Sequence, residues 1–304
     1  MLIAGIVLGL IAGLTQSGSY IFSRRYVVRH HSGPLQLLIL SHIVMGVISA
    51  VILPWLWRRD LPEPGVYVWP LLSVSGFYLL GQFFFFAALK SSDASRLSPL
   101  LALKIVFLAM LTAMLMHQPI APMQWAGIFV CVSSAFVLNH TGGSLPWRSL
   151  VFILGACIFY SLSDMNIKIL VDRFCGSGLT TLHSVFLGVC LSYVLCGVFS
   201  LILLPRVGGW SKDNIRYAVP FALAWLTAMF FLFASFAMVG VVFGNILQST
   251  RGIFSIVLGA LLAKMGHEHI EQKTTRAVFA RRLAAGVLMC LAIILYVSPN
   301  WLGK

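Results

Sequence analysis

Charged residues are scarce in this sequence, and acidic residues are the scarcest. Asp and Glu together number 8, and all charged residues make up 10% of the chain, whereas 60% is hydrophobic. A soluble domain has about a quarter of its residues charged, because it needs them to cover its surface. The composition therefore excludes a soluble fold and predicts an all-α integral membrane protein.

Motifs of enzymes and of nucleic-acid-binding proteins are also missing. No apolar run contains G-x-S-x-G or H-E-x-x-H, the patterns that hold a nucleophilic serine or a catalytic zinc. The 21 Lys and Arg residues give a net charge of +13, but they are scattered through short connections and form no basic arm or helix. We therefore expect neither an enzyme nor a nucleic-acid partner.

Cysteines and clustered metal ligands offer little chemistry. Five of the six cysteines lie within apolar runs, where cysteine behaves as a small hydrophobic residue. His267, Glu268 and His269, with Glu271, are near neighbours in a connection and have no second cluster of ligands, which is weak evidence for a metal. The sequence indicates no disulfide framework, no metal and no cofactor.

Ten apolar runs approach the length of about 20 residues that a helix needs to span a bilayer. Their bounds are roughly 2–22, 35–57, 66–89, 94–116, 123–139, 150–170, 179–204, 217–238, 241–263 and 282–297. The connections are short except for 264–281, which is rich in charge and could form an interfacial helix. We expect a multi-pass protein of the cell (inner) membrane.

The two halves of the chain resemble each other weakly. Residues 9–26 align with 155–172 at an offset of 146, and residues 111–115 align with 258–262 at an offset of 147. Because each copy has five spans, tandem copies must cross the membrane in opposite directions. The sequence therefore predicts a first repeat at 1–139, a linker at 140–149 and an inverted second repeat at 150–304, with substrate near the midplane between them.

The segment AALKSSDASRLSPLLALKIVFLAMLTAML (87–115) joins an Ala/Ser-rich turn to a fourth helix that contains proline, and QWAGIFVCVSSAFVL (124–138) is a glycine-containing fifth helix. Both resemble the drug/metabolite transporter superfamily, EamA type. The resemblance implies a ten-helix secondary transporter. Many members have a Glu after the fourth helix, where this chain has Met116, His117 and Gln118.

The orientation of the chain is predicted in two conflicting ways. With ten spans both ends lie on one side, and the connections on the opposite side carry fourteen Lys and Arg against five on the side of the ends. Positive connections stay in the cytoplasm, so the charge count favours termini outside. The family resemblance implies cytoplasmic termini.

Lys104 and Arg251 lie within predicted spans, 147 residues apart. A charge at the bilayer centre costs about 2.5–3.5 kcal/mol on insertion scales, so it usually has a partner or a function. We predict that both cations face one cavity and bind a small anion. The alternative is that each is neutralised by a protein carboxylate or reaches a lipid head group. Related plastid phosphate translocators use basic residues on the fourth and ninth helices, which these two positions resemble.

Other polar side chains lie at helical spacings near the two cations. Gln248, Arg251 and Ser255 form a polar stripe along the ninth span, with Asn245 at its edge. The i, i+4 pairs Gln16 with Tyr20, and Tyr78 with Gln82, either line the cavity or bond between helices. His42 and His183 either relay protons or bond between helices. Trp225 either shapes an aromatic wall or packs against lipid, and lipid is the favoured interpretation.

Asp164 is the one acid well within a predicted span. It could carry a proton, pair with Lys104 or Arg251 when the cavity is empty, or pair with Lys168 four residues later. We predict a coupling or gating role for it.

The prediction of function is a secondary transporter of a small organic or phosphorylated anion, working by alternating access, with exchange of one anion for another as a mode. The alternatives are a flippase for an anionic lipid carrier, or an exporter of amino acids or drugs. The expected partners are the small molecule and membrane lipid. The glycine face of Gly5, Gly9 and Gly13 serves packing within the chain or a homodimer.

Overall fold

The computed structural model describes residues 1–30, 34–58, 61–89, 100–117, 119–139, 146–207, 211–264 and 276–302. Within these ranges the chain is all-α and contains no strand. The helices are α1 Leu2–His30, α2 Pro34–Leu56, α3 Pro64–Leu89, a 3₁₀ helix Leu100–Leu103, α4 Lys104–Leu115, α5 Pro122–Asn139, α6 Trp147–Gly176, α7 Thr181–Val207, α8 Lys212–Val239, α9 Val241–Ser249, α10 Arg251–Lys264 and α11 Arg276–Leu302.

Six of the described helices are long and apolar enough to cross a membrane, namely α1, α2, α3, α6, α7 and α8. Shorter apolar helices lie at Leu100–Leu115, Pro122–Val137 and Ala284–Pro299. These helices confirm the prediction of an all-α, multi-pass membrane protein. The count of ten spans and the inverted relation of the two halves stay predictions.

The ninth predicted span, 241–263, is helical except at Thr250, where it is interrupted. Helix α9 ends at Ser249, and α10 begins at Arg251. The Ser249 and Thr250 hydroxyls donate to the carbonyls of Asn245 and Leu247, at 2.8 and 2.6 Å. Hydroxyl groups that bond back to the preceding turn bend helices, and an apolar pattern does not reveal this competition.

The start of the fourth span is also irregular. A 3₁₀ helix at Leu100–Leu103 leads directly into α4, which begins at Lys104. The predicted residues 94–99 lie outside the described part of the chain, as do His267 to Glu271 and most of the 264–281 connection. Both predicted cations, Lys104 and Arg251, are thus the first residue of an α-helix that follows an interruption.

Four tight helix pairs build the molecule: α1 with α8, α3 with α6, α2 with α7, and α5 with α11. Glycines allow the backbones to approach. A Cβ added to Gly5 would lie 2.4 Å from Val239, and one added to Gly9 would lie 2.8 Å from Ser235 Oγ. Gly13 faces Thr250 at the break between α9 and α10. The predicted glycine face therefore packs within the chain, while the homodimer stays a prediction.

The closest backbone contact between α2 and α7 joins Gly46 and Gly197. A Cβ on Gly46 would lie 2.9 Å from the Gly197 Cα, and a Cβ on Gly197 would lie 3.0 Å from the Gly46 Cα. Neither neighbour is the flexible end of a side chain, so an added methyl group can be accommodated only by separating the two helices.

We predict that Gly46→Ala destabilises the protein by about 1–3 kcal/mol, the usual cost of overpacking a tight contact. Gly76→Ala is the matched control, because Gly76 lies within α3 and an added Cβ meets nothing within 4 Å. Thermal unfolding of the detergent-solubilised variants measures the difference. Equal midpoints for the two variants would contradict the contact.

Candidate functional site

Lys104 and Asp164 form an ion pair between α4 and α6. The Lys104 Nζ lies 2.9 Å from Asp164 Oδ2, and the two side chains are 15% and 12% exposed. The Ser161 hydroxyl, nearly one turn before Asp164, lies 2.9 Å from the Lys104 carbonyl oxygen. Lys104 is therefore neutralised by a carboxylate in this conformation, as one of the two sequence alternatives held. Asp164 does not pair with Lys168, because Lys168 pairs with Asp172 on the next turn.

Asn245 of α9 completes this cluster. Its Nδ2 donates to Asp164 Oδ2 at 2.9 Å and lies 2.9 Å from the Val241 carbonyl oxygen. One carboxylate oxygen therefore receives donors from two helices, which holds it against both of them. The buried Asn245 Oδ1 has no hydrogen-bond donor among the described residues.

Arg251 lies in a second polar cluster, with Gln16 of α1. The Arg251 Nη1 and the Gln248 Nε2 each donate to Gln16 Oε1 at 3.0 Å. The Ser17 hydroxyl lies 2.7 Å from the Arg251 carbonyl oxygen. Among the described residues no carboxylate lies within 4 Å of the guanidinium. The described partners of the Arg251 guanidinium therefore include an amide oxygen and no carboxylate.

Six aromatic side chains, one from each of six helices, form a connected series beside these clusters: Tyr20, Trp225, Tyr193, His42, Tyr78 and Tyr160. Tyr20 and Trp225 pack edge to face with their ring centroids 6.5 Å apart, and Trp225 Nε1 donates to the Tyr193 hydroxyl at 2.9 Å. At the other end, Tyr160 lies close enough to Arg251 for an electrostatic interaction. The series therefore forms an aromatic wall with hydroxyl and ring-nitrogen groups along it, and one end of the wall lies near Arg251.

His42 lies in the middle of this series. Its ring stacks on the Tyr193 ring with 6.1 Å between the ring centroids, and its Nε2 lies 3.1 Å from the Tyr78 hydroxyl. The Tyr78 ring in turn packs against the Tyr160 ring, with 6.2 Å between their centroids. His42 therefore makes the interhelical hydrogen bond that was one of its two predicted roles. His183 likewise contacts the Leu56 carbonyl oxygen of α2, at 2.9 Å.

The remaining predicted residues lie nearby, but they are not all brought together. Gln82 hydrogen-bonds to the Tyr78 side chain within α3. Because the ninth span breaks at Thr250, Asn245 and Gln248 lie on α9 whereas Ser255 lies on α10. Ser255 is half-buried and has no hydrogen bond from its side chain to a described residue. The predicted stripe is therefore divided between two helices.

Sequence reasoning missed two members of the aromatic series, Tyr160 and Tyr193. For Trp225 it favoured lipid over an aromatic wall, and this preference is wrong, because Trp225 bonds to Tyr193 inside the molecule. Tyr160 precedes Asp164 by four residues on α6, a spacing that could have indicated it. Tyr193 has no such signal. No group of three or more potential metal ligands occurs among the described residues.

Residues 3–140 match the model of the EamA-like transporter family. That match covers the first part of the chain and supports its resemblance to EamA-type transporters of the drug/metabolite transporter superfamily. The family is one of membrane transporters and is generally non-enzymatic, which supports the expectation of a transporter over an enzyme.

A solved crystal structure shares the fold of this chain. The two are 16% identical, with a TM-score of 0.71, over 97% of this chain and 96% of the other. No curated protein matches the chain.

We predict that Asp164→Asn destabilises the transporter by about 3–5 kcal/mol, because it leaves Lys104 buried without its counter-charge. Adding Lys104→Gln should restore part of the loss, since the double variant has no unpaired charge. Thermal unfolding of the two single variants and the double variant measures this coupling.

The matched control is Asp172→Asn, which breaks the more exposed pair with Lys168 and should cost less than about 1 kcal/mol. Additive effects of Lys104→Gln and Asp164→Asn would show that the two side chains do not interact in the folded protein.

Proposed function

We propose that this protein is an EamA-type transporter that moves a small organic anion, a carboxylate or a phosphorylated compound, by secondary active transport, with Arg251 as the principal anchor. The observation that carries the proposal is the environment of Arg251. Its guanidinium contacts an amide oxygen and lies beside a tyrosine. A guanidinium without a counter-charge, with its planar set of donors, suits a bidentate carboxylate or phosphate.

We further propose that the chain has ten spans in two inverted repeats, 1–139 and 150–304, joined at 140–149. The four helix pairs fit such an arrangement. Exchange of the halves turns α1 with α8 into α6 with α3, and leaves α2 with α7 and α5 with α11 unchanged. Substrate then binds at the junction between the halves.

The surroundings of the two cations support the same symmetry. The Lys104 carbonyl accepts a hydrogen bond from a hydroxyl of α6, the first helix of the second half. The Arg251 carbonyl accepts one from a hydroxyl of α1, the first helix of the first half. Each cation begins a helix after an interruption. The two cations therefore share the same backbone contact, although their side chains have different partners.

The charge at the junction favours exchange. Lys104 and Asp164 cancel each other, so Arg251 leaves the site with one positive charge. A bound monoanion makes the junction neutral, whereas the empty site must carry its charge through the closed states of the cycle. Charge in a dry environment is costly, so the loaded transporter should reorient more readily than the empty one.

The coupling or gating role of Asp164 is part of this proposal. An anion that approaches Lys104 competes with Asp164 for the ammonium group, and protonation of Asp164 would release it in the same way. Lys104 is therefore a second cation for the substrate that becomes available when its ion pair opens. Two cations then hold a dianion, and one holds a monoanion.

Export of amino acids or drugs is the second candidate. The six-member aromatic series favours it, since aromatic walls suit substrates with a larger apolar part. The ligand that stabilises the protein discriminates the two functions. Carboxylates and phosphate esters would support the anion transporter, and lipophilic cations would support a drug exporter.

We predict that Arg251→Gln weakens binding of the anion by about 30-fold or more, because loss of one partner of a buried charge pair costs roughly 2–5 kcal/mol. A thermal-shift screen of dicarboxylates, phosphate esters, sulfonates, amino acids and lipophilic cations identifies the ligand. Titration of that compound and its uptake into proteoliposomes then compare the variants.

The control for this measurement is Arg173→Gln, which removes an exposed arginine from the last turn of α6 and should leave binding unchanged. Arg251→Lys keeps the charge but loses the fork, and we expect an intermediate affinity. Wild-type uptake by Arg251→Gln would refute the anchor.

We also predict that the labelled anion enters proteoliposomes at least about tenfold faster when the same anion is present inside, because the uncompensated charge of the empty site costs about 2.5–3.5 kcal/mol in the membrane. Liposomes that contain only buffer are the control. Equal initial rates with and without internal anion would exclude exchange as the preferred mode.

A further inference from the structure

A cavity of about 290 Å³ lies between α1 and α8, away from the Arg251 cluster. Its lining consists of two arginines, two tyrosines, one phenylalanine and one proline: Phe22, Arg25, Tyr26, Arg216, Tyr217 and Pro220. Both arginine side chains are exposed, whereas Tyr26 is fully buried. The cavity therefore has a cationic opening and an aromatic floor.

The cavity lies where the two helices leave their apolar segments. The apolar segment of α1 ends at Ser23, two residues before Arg25. Arg216 lies in the second turn of α8, which runs antiparallel to α1, since Gly5 near the start of α1 meets Val239 at the end of α8. Both arginines are thus at the boundary between hydrocarbon and head groups, the depth at which tyrosines are also enriched.

The charge at this boundary is mostly positive, although the exposed Asp213 lies in the first turn of α8. Among the described residues no carboxylate lies within 4 Å of either guanidinium. Arg206 at the end of α7 and Lys212 at the start of α8 are exposed at the same end of the molecule. Arginines bind phosphate through paired, charge-assisted hydrogen bonds, and basic pockets between membrane helices suit anionic head groups.

We propose that this cavity is a binding site for the phosphate of an anionic phospholipid. Arg25 and Arg216 hold the phosphate from two helices, and the tyrosine and phenylalanine rings contact the glycerol and the first methylene groups. The cavity is built for a ligand that is charged at one end and apolar at the other, which fits a lipid better than a free phosphate.

The site is separate from the proposed substrate anchor. Tyr20 and Trp225 lie deeper on the same two helices and belong to the aromatic series, and Phe221 stacks on Trp225 at 5.6 Å. A lipid bound at the boundary therefore joins α1 to α8 without reaching Arg251. Its effect is on the stability of this helix pair, and it does not depend on the anion proposal.

The test is titration of the full-length protein, in neutral detergent, with phosphatidylglycerol, phosphatidylcholine and glycerol phosphate, read by native mass spectrometry and by thermal shift. The expected result is tight binding of phosphatidylglycerol only. The double variant Arg25→Gln/Arg216→Gln should weaken that binding by about tenfold, since each arginine–phosphate contact is a charge-assisted bond. Arg25→Lys/Arg216→Lys should lie between the two.

The matched control is Arg206→Gln/Lys212→Gln, which removes the same charge from the same end of the molecule and should change binding less than about twofold if the contact is specific and not a general surface potential. Equal losses in the two double variants would overturn the site. So would equal binding of phosphatidylcholine. Tight binding of glycerol phosphate alone would overturn the lipid assignment in favour of a soluble phosphate ester.

Discussion

A charge buried between apolar helices must be paired, and this constraint ties the candidate site to the fold. The Asp164 carboxylate accepts hydrogen bonds from Lys104 and Asn245, and the Gln16 amide oxygen accepts them from Arg251 and Gln248. The Lys104–Asp164 ion pair and both contacts of Gln16 each join a helix from residues 1–139 to one from residues 150–304. Removing either acceptor would leave a cation without a partner at the place where the two parts of the chain meet. The polar contacts that bind the parts together are therefore the same ones that surround the substrate in the proposed function.

The sequence predicts the membrane class and the two cations because both depend on composition and on spacing along the chain. Apolar runs interrupted by a single charge identify Lys104 and Arg251 without knowledge of their neighbours. It does not predict which partner Asp164 chooses, since Lys104, Lys168 and Arg251 are all plausible from sequence. That choice depends on how α4 and α6 pack, and Lys168 is drawn away by Asp172.

The break at Thr250 and the aromatic series are hidden for different physical reasons. The hydroxyls of Ser249 and Thr250 compete for carbonyls within one turn, and hydrophobic periodicity is insensitive to that competition. The aromatic residues are spread over six helices, so their proximity arises only when the helices assemble. Tyr193 and Trp225 are residue types that also face lipid, but here they are hydrogen-bonded to each other inside the molecule.

The crossing of Gly46 and Gly197 has a consequence for movement. The backbones of α2 and α7 touch there with no side chain between them, so no change of rotamer can alter their separation. Gly127 makes a similar backbone contact with Ala292 between α5 and α11, whereas Gly5 and Gly9 of α1 face side chains that can repack. We therefore expect α2 to move relative to α7 by rotation about the Gly46–Gly197 contact, with a constant separation of the two helices there. His42 and Tyr193 lie about one turn from it, on the two helices whose angle would change.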